Sequence, residues 1–285
     1  MQITPIVAPD DYLDLMKKCL LATIYDENAW YVLGSLDARK TLKEKIKAMF
    51  VDLAWTQKLL LVSPRRQMDS NQANWGLFAY TMIGKPRLDN IQFCIEDVIR
   101  NNIPGDLIET GVWRGGATIF MRAVLKAHAI TDRKVWVADS FEGLPSLDKK
   151  DAAYEADALV DTAGMNIGGP MSLGFAVPLE KVQENFRKFD LLDDQVKFLK
   201  GWFKDTLPTA PIEKLAVLRL DGDMYISTMD SLNALYHKVS KGGYVIVDDY
   251  NAWPHCQQAI TDFRNQHGIS GEMMRIDNDA VYWKV

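Results

Sequence analysis

The chain has 285 residues, enough to bury a large core as one domain or as a domain with an appendage. Hydrophobic residues make up 48% and charged residues 25%, a balance that excludes a disordered or fibrous chain. The formal net charge of −5 gives no electrostatic reason to expect nucleic acid or an anionic membrane as a partner.

The start, MQITPIVAPDDYLDLMKK, lacks a cationic stretch followed by an apolar one, so no signal peptide is expected. No apolar run reaches the length of a membrane helix. Cys19, Cys94 and Cys256 are odd in number and widely spaced. They suggest neither a disulfide framework nor a zinc site, and fit packing roles in a reducing cytoplasm.

In chain order, residues 10–62 read as helical. DYLDLMKKCLLATIY and TLKEKIKAMFVDLAWTQKLLL both place apolar residues at i, i+3, i+4 spacing. LDNIQFCIEDVIRNNI is a further helix that stops at Pro104-Gly105. From there strands and helices alternate. DLIET (106–110) is a strand, GGATIFMRAVLKAHAI a helix and KVWVADS (134–140) a strand. Residues 146–177 show no period and hold small residues, so a functional or poorly ordered loop is expected. PLEKVQENFRKF is a helix, QVKFLKG a strand, KLAVLRLDGD (214–223) a strand and STMDSLNALYHKV a helix. GGYVIVDDY (242–250) is a strand and PHCQQAITDFRNQHG a helix, and GEMMRID with AVYWKV form a terminal hairpin. This alternation predicts an α/β fold with a mostly parallel sheet and right-handed crossovers.

Ligands in such sheets bind at the carboxyl ends of the strands. The residues just after the apolar runs are therefore the informative ones. After the first strand the chain reads E-T-G-V-W-R-G-G. Gly111, Gly115 and Gly116 allow a tight turn and a close approach to backbone, and the helix that follows offers free N–H groups. A dinucleotide site would want G-x-G-x-x-G, which this turn does not match. Glu109 beside it suits an ammonium or hydroxyl groups better than a pyrophosphate. S-adenosylmethionine offers those groups in its amino-acid end and ribose. Asp139, closing VWVAD, stands where a doubly wound sheet places the acid that takes ribose hydroxyls. Trp113 and Trp202 could pack on such a ligand, although large aromatics more often serve a core. Alone, Glu109 would be a solvated strand-end acid. With Gly111, Gly115 and Asp139 on successive turns, the cofactor reading is favoured.

Asp221 ends one strand, and Asp248 with Asp249 end the next. Neighbouring strands would bring these carboxylates together. Three uncompensated carboxylates repel, so a hard cation (Mg²⁺, Ca²⁺ or Mn²⁺) is the simple remedy. The alternative is that Asp248-Asp249 caps the following helix. Asp223 is a second candidate for the metal or for structure.

The segments ETGVWRGGATIFMRAVL, VADSFEGLP, LRLDGDMYISTMDSL and GGYVIVDDY, with TMIG (81–84) and GWFKDTLP, resemble the macrocin O-methyltransferase family over roughly residues 75–285. The resemblance implies a class I S-adenosylmethionine methyltransferase sheet, Rossmann-like, with helices on both faces. It implies a methyltransferase domain over 91–285, preceded by a helical lid region over 1–90. It also implies S-adenosylmethionine and Mg²⁺ as cofactors, and a hydroxyl of a deoxysugar on a glycosylated natural product as acceptor. Carried over residue by residue, Thr81 and Met82 would cover the cofactor. Glu109, Thr110, Gly111, Val112, Trp113, Arg114 and Gly115 would hold its amino-acid end. Asp139 and Ser140 would take the ribose, and Gly201, Trp202 and Phe203 would form the adenine wall. Asp221, Asp248 and Asp249 would bind the metal, with Asp221 also at the cofactor and acting as general base.

The chain departs from the family pattern at His255, where a small residue is expected; the imidazole could face the acceptor or simply begin a helix. A methyltransferase of catechols or other phenols would carry a lysine three positions after the first metal aspartate, where Met224 stands. A nucleotide-dependent oxidoreductase is disfavoured by the missing glycine fingerprint, and a non-catalytic cofactor-binding protein by the intact aspartates. A small-molecule acceptor and a homo-oligomer are expected.

Overall fold

The computed structural model describes residues 8–24, 79–144 and 175–285, with two short strands between the first two of these segments. Helix α1 (Pro9–Leu20) opens with Pro9 and two aspartates and closes with Lys17 and Lys18, which suits the helix dipole at both ends. It buries Leu13, Met16, Lys17 and Leu20 on one face. Strands β1 (Trp30–Val32) and β2 (Val62–Pro64) pair antiparallel. Here the helical reading of 10–62 is corrected. Trp-Tyr-Val is an aromatic, β-branched triplet followed closely by Gly34, which favours a strand. The second helical stretch, 41–61, lies outside the described residues, as do residues 145–174 of the irregular loop.

Helix α2 (Lys85–Arg100) starts behind Gly84 with a proline in its first turn. The expected domain boundary at 90/91 therefore falls inside a helix. Then follow β3 (Asp106–Thr110), α3 (Gly116–Ala127), β4 (Val135–Asp139), α4 (Leu179–Lys188) and β5 (Val196–Lys200). The second half runs α5 (Phe203–Thr206), β6 (Leu215–Leu220), α6 (Tyr225–Leu235), β7 (Val239–Val247), α7 (Pro254–Gln266), β8 (Met274–Arg275) and β9 (Val281–Lys284).

The main sheet has seven strands in the order β5-β4-β3-β6-β7-β9-β8. The first five are parallel, and β9 and β8 are the antiparallel terminal hairpin. Side chains alternate across it, as the period of two demands. Leu107, Val135 and Val217 join a core with α1, α2, α3 and α4. Ile108, Trp136 and Leu218 join a second core with α6 and α7. Because α1 contributes Leu13, Met16 and Leu20 to the first core, it is packed into the same body as the sheet.

Strand β7 begins three residues before the expected Gly242, and its pairing with β6 is interrupted between Leu215 and Val217. Gly242 has φ +87°, and a Cβ on Gly243 would lie 2.7 Å from the Ala216 carbonyl oxygen. The Gly-Gly pair is thus a bulge inside the strand rather than its start.

Strand order reverses between β3 and β6, and there the register is tight: Thr110 pairs with both Ala138 and Leu220, and Leu220 with Val247. Gly111 follows at once. It has φ +89°, and a Cβ there would come 1.8 Å from the Asp221 carbonyl oxygen. No L side chain fits. Gly111→Ala is expected to destabilise the protein by ~3 kcal/mol or more. Gly268→Ala, at φ +63° with nothing within 4 Å, should carry only the conformational penalty of ~1 kcal/mol. Urea denaturation of the two variants checks this; equal losses would mean that close approach at Gly111 does not matter.

Candidate active site

The strand ladder runs one residue past the strands. Gly111 N–H donates to Ala138 O, Asp221 N–H to Thr110 O, Asp248 N–H to Leu220 O and Gly201 N–H to Asp139 O, at 2.9–3.0 Å. Backbone bonds thus fix the first residue beyond each strand, and these residues border a cavity of about 490 Å³.

On one side lies the β3–α3 turn. Trp113 adopts φ +48°, a left-handed conformation for a bulky residue. Behind it, Arg114 stacks on the Trp113 ring at 4.2 Å and donates to the Ala79 carbonyl at 2.6 Å. Gly116 N–H donates to the Tyr80 carbonyl at 3.0 Å, and a Cβ on Gly116 would meet that oxygen at 2.4 Å. These contacts fasten residues 79–82 over the turn and bring Thr81 and Met82 to the cavity. Asp139 reaches back across the gap. One carboxylate oxygen accepts Val112 N–H and the other Phe141 N–H, both at 2.7 Å. Burial pushes its carboxyl above the usual range, and these amides pull the other way.

The other side is built around Arg219, fully buried one residue before the end of β6. Its Nη1 donates to Glu109 Oε1 and Asp221 Oδ2, and its Nη2 to Asp248 Oδ1. Arg87, from the first turn of α2, donates to Asp248 Oδ2, and also to Asp277 and Asp279 in the terminal hairpin. One oxygen from each of Asp221, Asp248 and Asp249 lies within 4.8 Å of the others. The predicted trio is therefore together, but the premise of uncompensated repulsion is corrected: two arginines already pair with Asp221 and Asp248.

Compensation is incomplete. Among the described residues, Glu109 Oε2 and Asp249 Oδ2 are buried without a hydrogen-bond partner. Burial, with Asp221 and Asp248 nearby, pushes Glu109 up to about 8 against the pull of Arg219. Burial and the neighbouring carboxylates also raise Asp249 and Asp223 well above the usual range. Orphaned carboxylate oxygens in a cluster short of positive charge fit a hard cation, with all-oxygen ligation. The side chain of Asp221 is 26% exposed and that of Asp248 only 6%, so Asp221 is the more accessible of these two.

Of the sequence-predicted residues, Thr81, Met82, Glu109, Gly111, Val112, Trp113, Asp139, Ser140, Gly201, Trp202, Phe203, Asp221, Asp248 and Asp249 all line the cavity. Thr110, Arg114 and Gly115 do not. Thr110 bonds to the Arg219 carbonyl, Arg114 is turned to Ala79, and a Cβ on Gly115 would meet Val182. His255, the second residue of α7, does not line it either. Asp223 does, at φ +58° and hydrogen-bonded to the Trp253 side chain. Sequence reasoning missed Arg87, Arg219, Ile226, Asp230 and Trp253. A signal existed for Arg219: one charge inside the apolar run LAVLRL must have buried partners.

The chain is similar to known proteins along nearly its whole length. The family model of macrocin O-methyltransferase (TylF) matches residues 9–285. The demethyldecarbamoylnovobiocin O-methyltransferase of Streptomyces niveus is 46% identical over 280 residues, 96% of this chain and 92% of that protein. The 8-demethyl-8-(2,3-dimethoxy-alpha-L-rhamnosyl)-tetracenomycin-C 4'-O-methyltransferase of Streptomyces olivaceus is 44% identical over 281 residues, 97% of this chain and 93% of that one. The solved structure of the O-methyltransferase NovP superimposes with a TM-score of 0.78 at 46% identity, covering 97% of this chain and 98% of that one. With a class I methyltransferase sheet, an acid-rimmed cavity at its switch point and these matches along nearly its whole length, the chain belongs to the macrocin O-methyltransferase family.

Proposed function

We propose that this enzyme transfers a methyl group from S-adenosylmethionine to a hydroxyl of a deoxysugar carried by a glycosylated natural product, with Mg²⁺ as second cofactor. The observation that carries the proposal is the pair of orphaned buried oxygens, Glu109 Oε2 and Asp249 Oδ2, in one acid-rimmed cavity. The rhamnosyl acceptor in the name of the Streptomyces olivaceus relative supports a sugar.

When bound, S-adenosylmethionine supplies an electrophilic methyl group, and a hard divalent ion supplies Lewis-acid activation of a poorly acidic hydroxyl. Glu109, with Oε2 buried and unpartnered, would receive the ammonium of the amino-acid end. Asp139 keeps the amides of Val112, Trp113 and Phe141 and the Ser140 hydroxyl, and would offer the acceptor capacity left to it to the ribose hydroxyls. Trp202 and Phe203, entered through Gly201, would form the adenine wall, and Thr81 with Met82 would cover the cofactor. Thr110, Arg114 and Gly115 act from behind, by holding the turn. Asp221, Asp248 and Asp249 hold the divalent ion. Asp221, more exposed than Asp248, accepts the acceptor's proton on its carboxylate. The rest of the acceleration comes from alignment in an enclosed site.

Asp139→Ala is expected to weaken S-adenosylmethionine binding by ~1.5–3 kcal/mol, the range for losing hydrogen bonds to a charged group. Calorimetry showing wild-type affinity would remove Asp139 from the cofactor site.

The aspartates of the trio should separate by stability as well as by turnover. Chelator should abolish turnover and Mg²⁺ restore it, while S-adenosylmethionine binding persists. Asp249→Asn removes a buried carboxylate that makes no ion pair, so the metal-free protein should be as stable as wild type or more so, and turnover should be lost. Asp248→Asn strips a partner from both arginines and should lower stability by ~3 kcal/mol. Asp221→Asn should stay inactive at any Mg²⁺ concentration. Full activity in excess chelator would sink the metal assignment, and thermal melts that rank Asp249→Asn below Asp248→Asn would sink the charge analysis.

A further inference from the structure

We infer that Arg219 is a built-in counter-cation that competes with a divalent ion for Asp221 and Asp248, and so sets how tightly the site takes that ion. The inference rests on the cation reading of the site given above. Arg219 is fully buried between Leu218 and Leu220 on a central strand, and its side chain reaches carboxylates at the ends of β3, β6 and β7. A guanidinium cannot shed its charge in a protein, so it must be paired wherever it is buried. The oxygens it uses, Asp221 Oδ2 and Asp248 Oδ1, belong to two of the three side chains able to share a cation. A hard ion seeks the same lone pairs.

Arg87 does not substitute for it. Arg87 takes only Asp248 among these three acids and spends its other donors on Asp277 and Asp279. Arg219 alone among the described cations bridges Asp221 and Asp248, and it binds Glu109 with the same Nη1 that reaches Asp221. In the metal-free protein this arginine relieves carboxylate repulsion. In the loaded protein a positive charge remains close to the ion and opposes it. At the effective dielectric of a protein interior, one charge at this range changes an ion affinity by at least about tenfold.

The test compares wild type, Arg219→Met and Arg219→Lys. Each is titrated with Mg²⁺ alone by isothermal calorimetry, and each is melted in chelator and in saturating Mg²⁺. Arg219→Met, an apolar side chain with an unbranched stem, should melt lower than wild type in chelator. It should bind Mg²⁺ at least about tenfold more tightly and gain more melting temperature from it. Arg219→Lys keeps one charge, but its compact ammonium cannot span three carboxylates, so it should fall between the two. If Arg219→Met folds only with Mg²⁺ present, the inference is supported. If it folds in neither condition, the lysine variant decides: tighter binding than wild type supports the inference, and equal or weaker binding overturns it. A wild type that binds no Mg²⁺ beside a variant that does would keep the inference and overturn Mg²⁺ as the cofactor. Equal affinity in all three proteins, or binding in none, overturns the inference.

Discussion

A fully buried guanidinium, that of Arg219, sits on a central strand of the sheet, and the rim above it is arranged to answer its charge. Arg219 draws one carboxylate from each of three adjacent strands: Glu109 beside it on β3, Asp221 two residues on, and Asp248 from β7. The parallel register makes this possible, since Thr110, Leu220 and Val247 lie side by side and the acids lie within a residue of them. Arg87 continues the chain of charge outward through Asp248 to Asp277 and Asp279, tying α2 and the terminal hairpin to the same rim. Asp277 in turn accepts the N–H groups of Asp279 and Ala280 at 2.9 Å, so the hairpin turn is closed by the residue that anchors the arginine. Removing any one of these acids leaves a buried positive charge short of a partner, which is why they matter to the fold as well as to the site.

The network nevertheless stays short of positive charge. Asp223 and Asp249 add two more carboxylates to the same rim and pair with neither arginine. Carboxyls pushed toward their neutral form release the proton when a cation binds beside them, so such a rim favours cationic ligands. Fuller pairing by arginine would leave fewer of these oxygens open to such a ligand.

Legibility in the sequence followed the physics of each element. Every strand of the parallel sheet was readable because its apolar run is short and ends in an acid or a glycine, as in VWVAD and VIVDD. Glu109, Gly111, Asp139, Asp221, Asp248 and Asp249 were readable at the cavity for the same reason, since a ligand in such a fold meets the strand ends. Trp30–Val32 was misread because a long helical period on either side masked a three-residue strand. The bulge at Gly242-Gly243 was read as a strand start, because a glycine pair signals a break without saying on which side of it the pairing resumes. Partners of the arginines were not readable at all. Arg87 and Asp277 are separated by 190 residues, and nothing local marks them as a pair.

The turn after β3 shows why a residue type alone could not separate ligand contact from support. Seven consecutive residues, Glu109 to Gly115, read as one cofactor loop, yet the chain there twists through left-handed conformations at Gly111, Trp113 and Gly115. Glu109, Gly111, Val112 and Trp113 border the cavity, while Arg114 is sent backward to the Ala79 carbonyl and Gly115 packs beneath Val182. The backward residues have a task of their own. Arg114 and the Gly116 amide hold residues 79–82 over the cavity, and so bring in Thr81 and Met82, which no strand of the sheet carries. A tight turn with left-handed residues thus divides its side chains between bordering the cavity and fastening the segment that covers it, a division that residue type alone does not reveal.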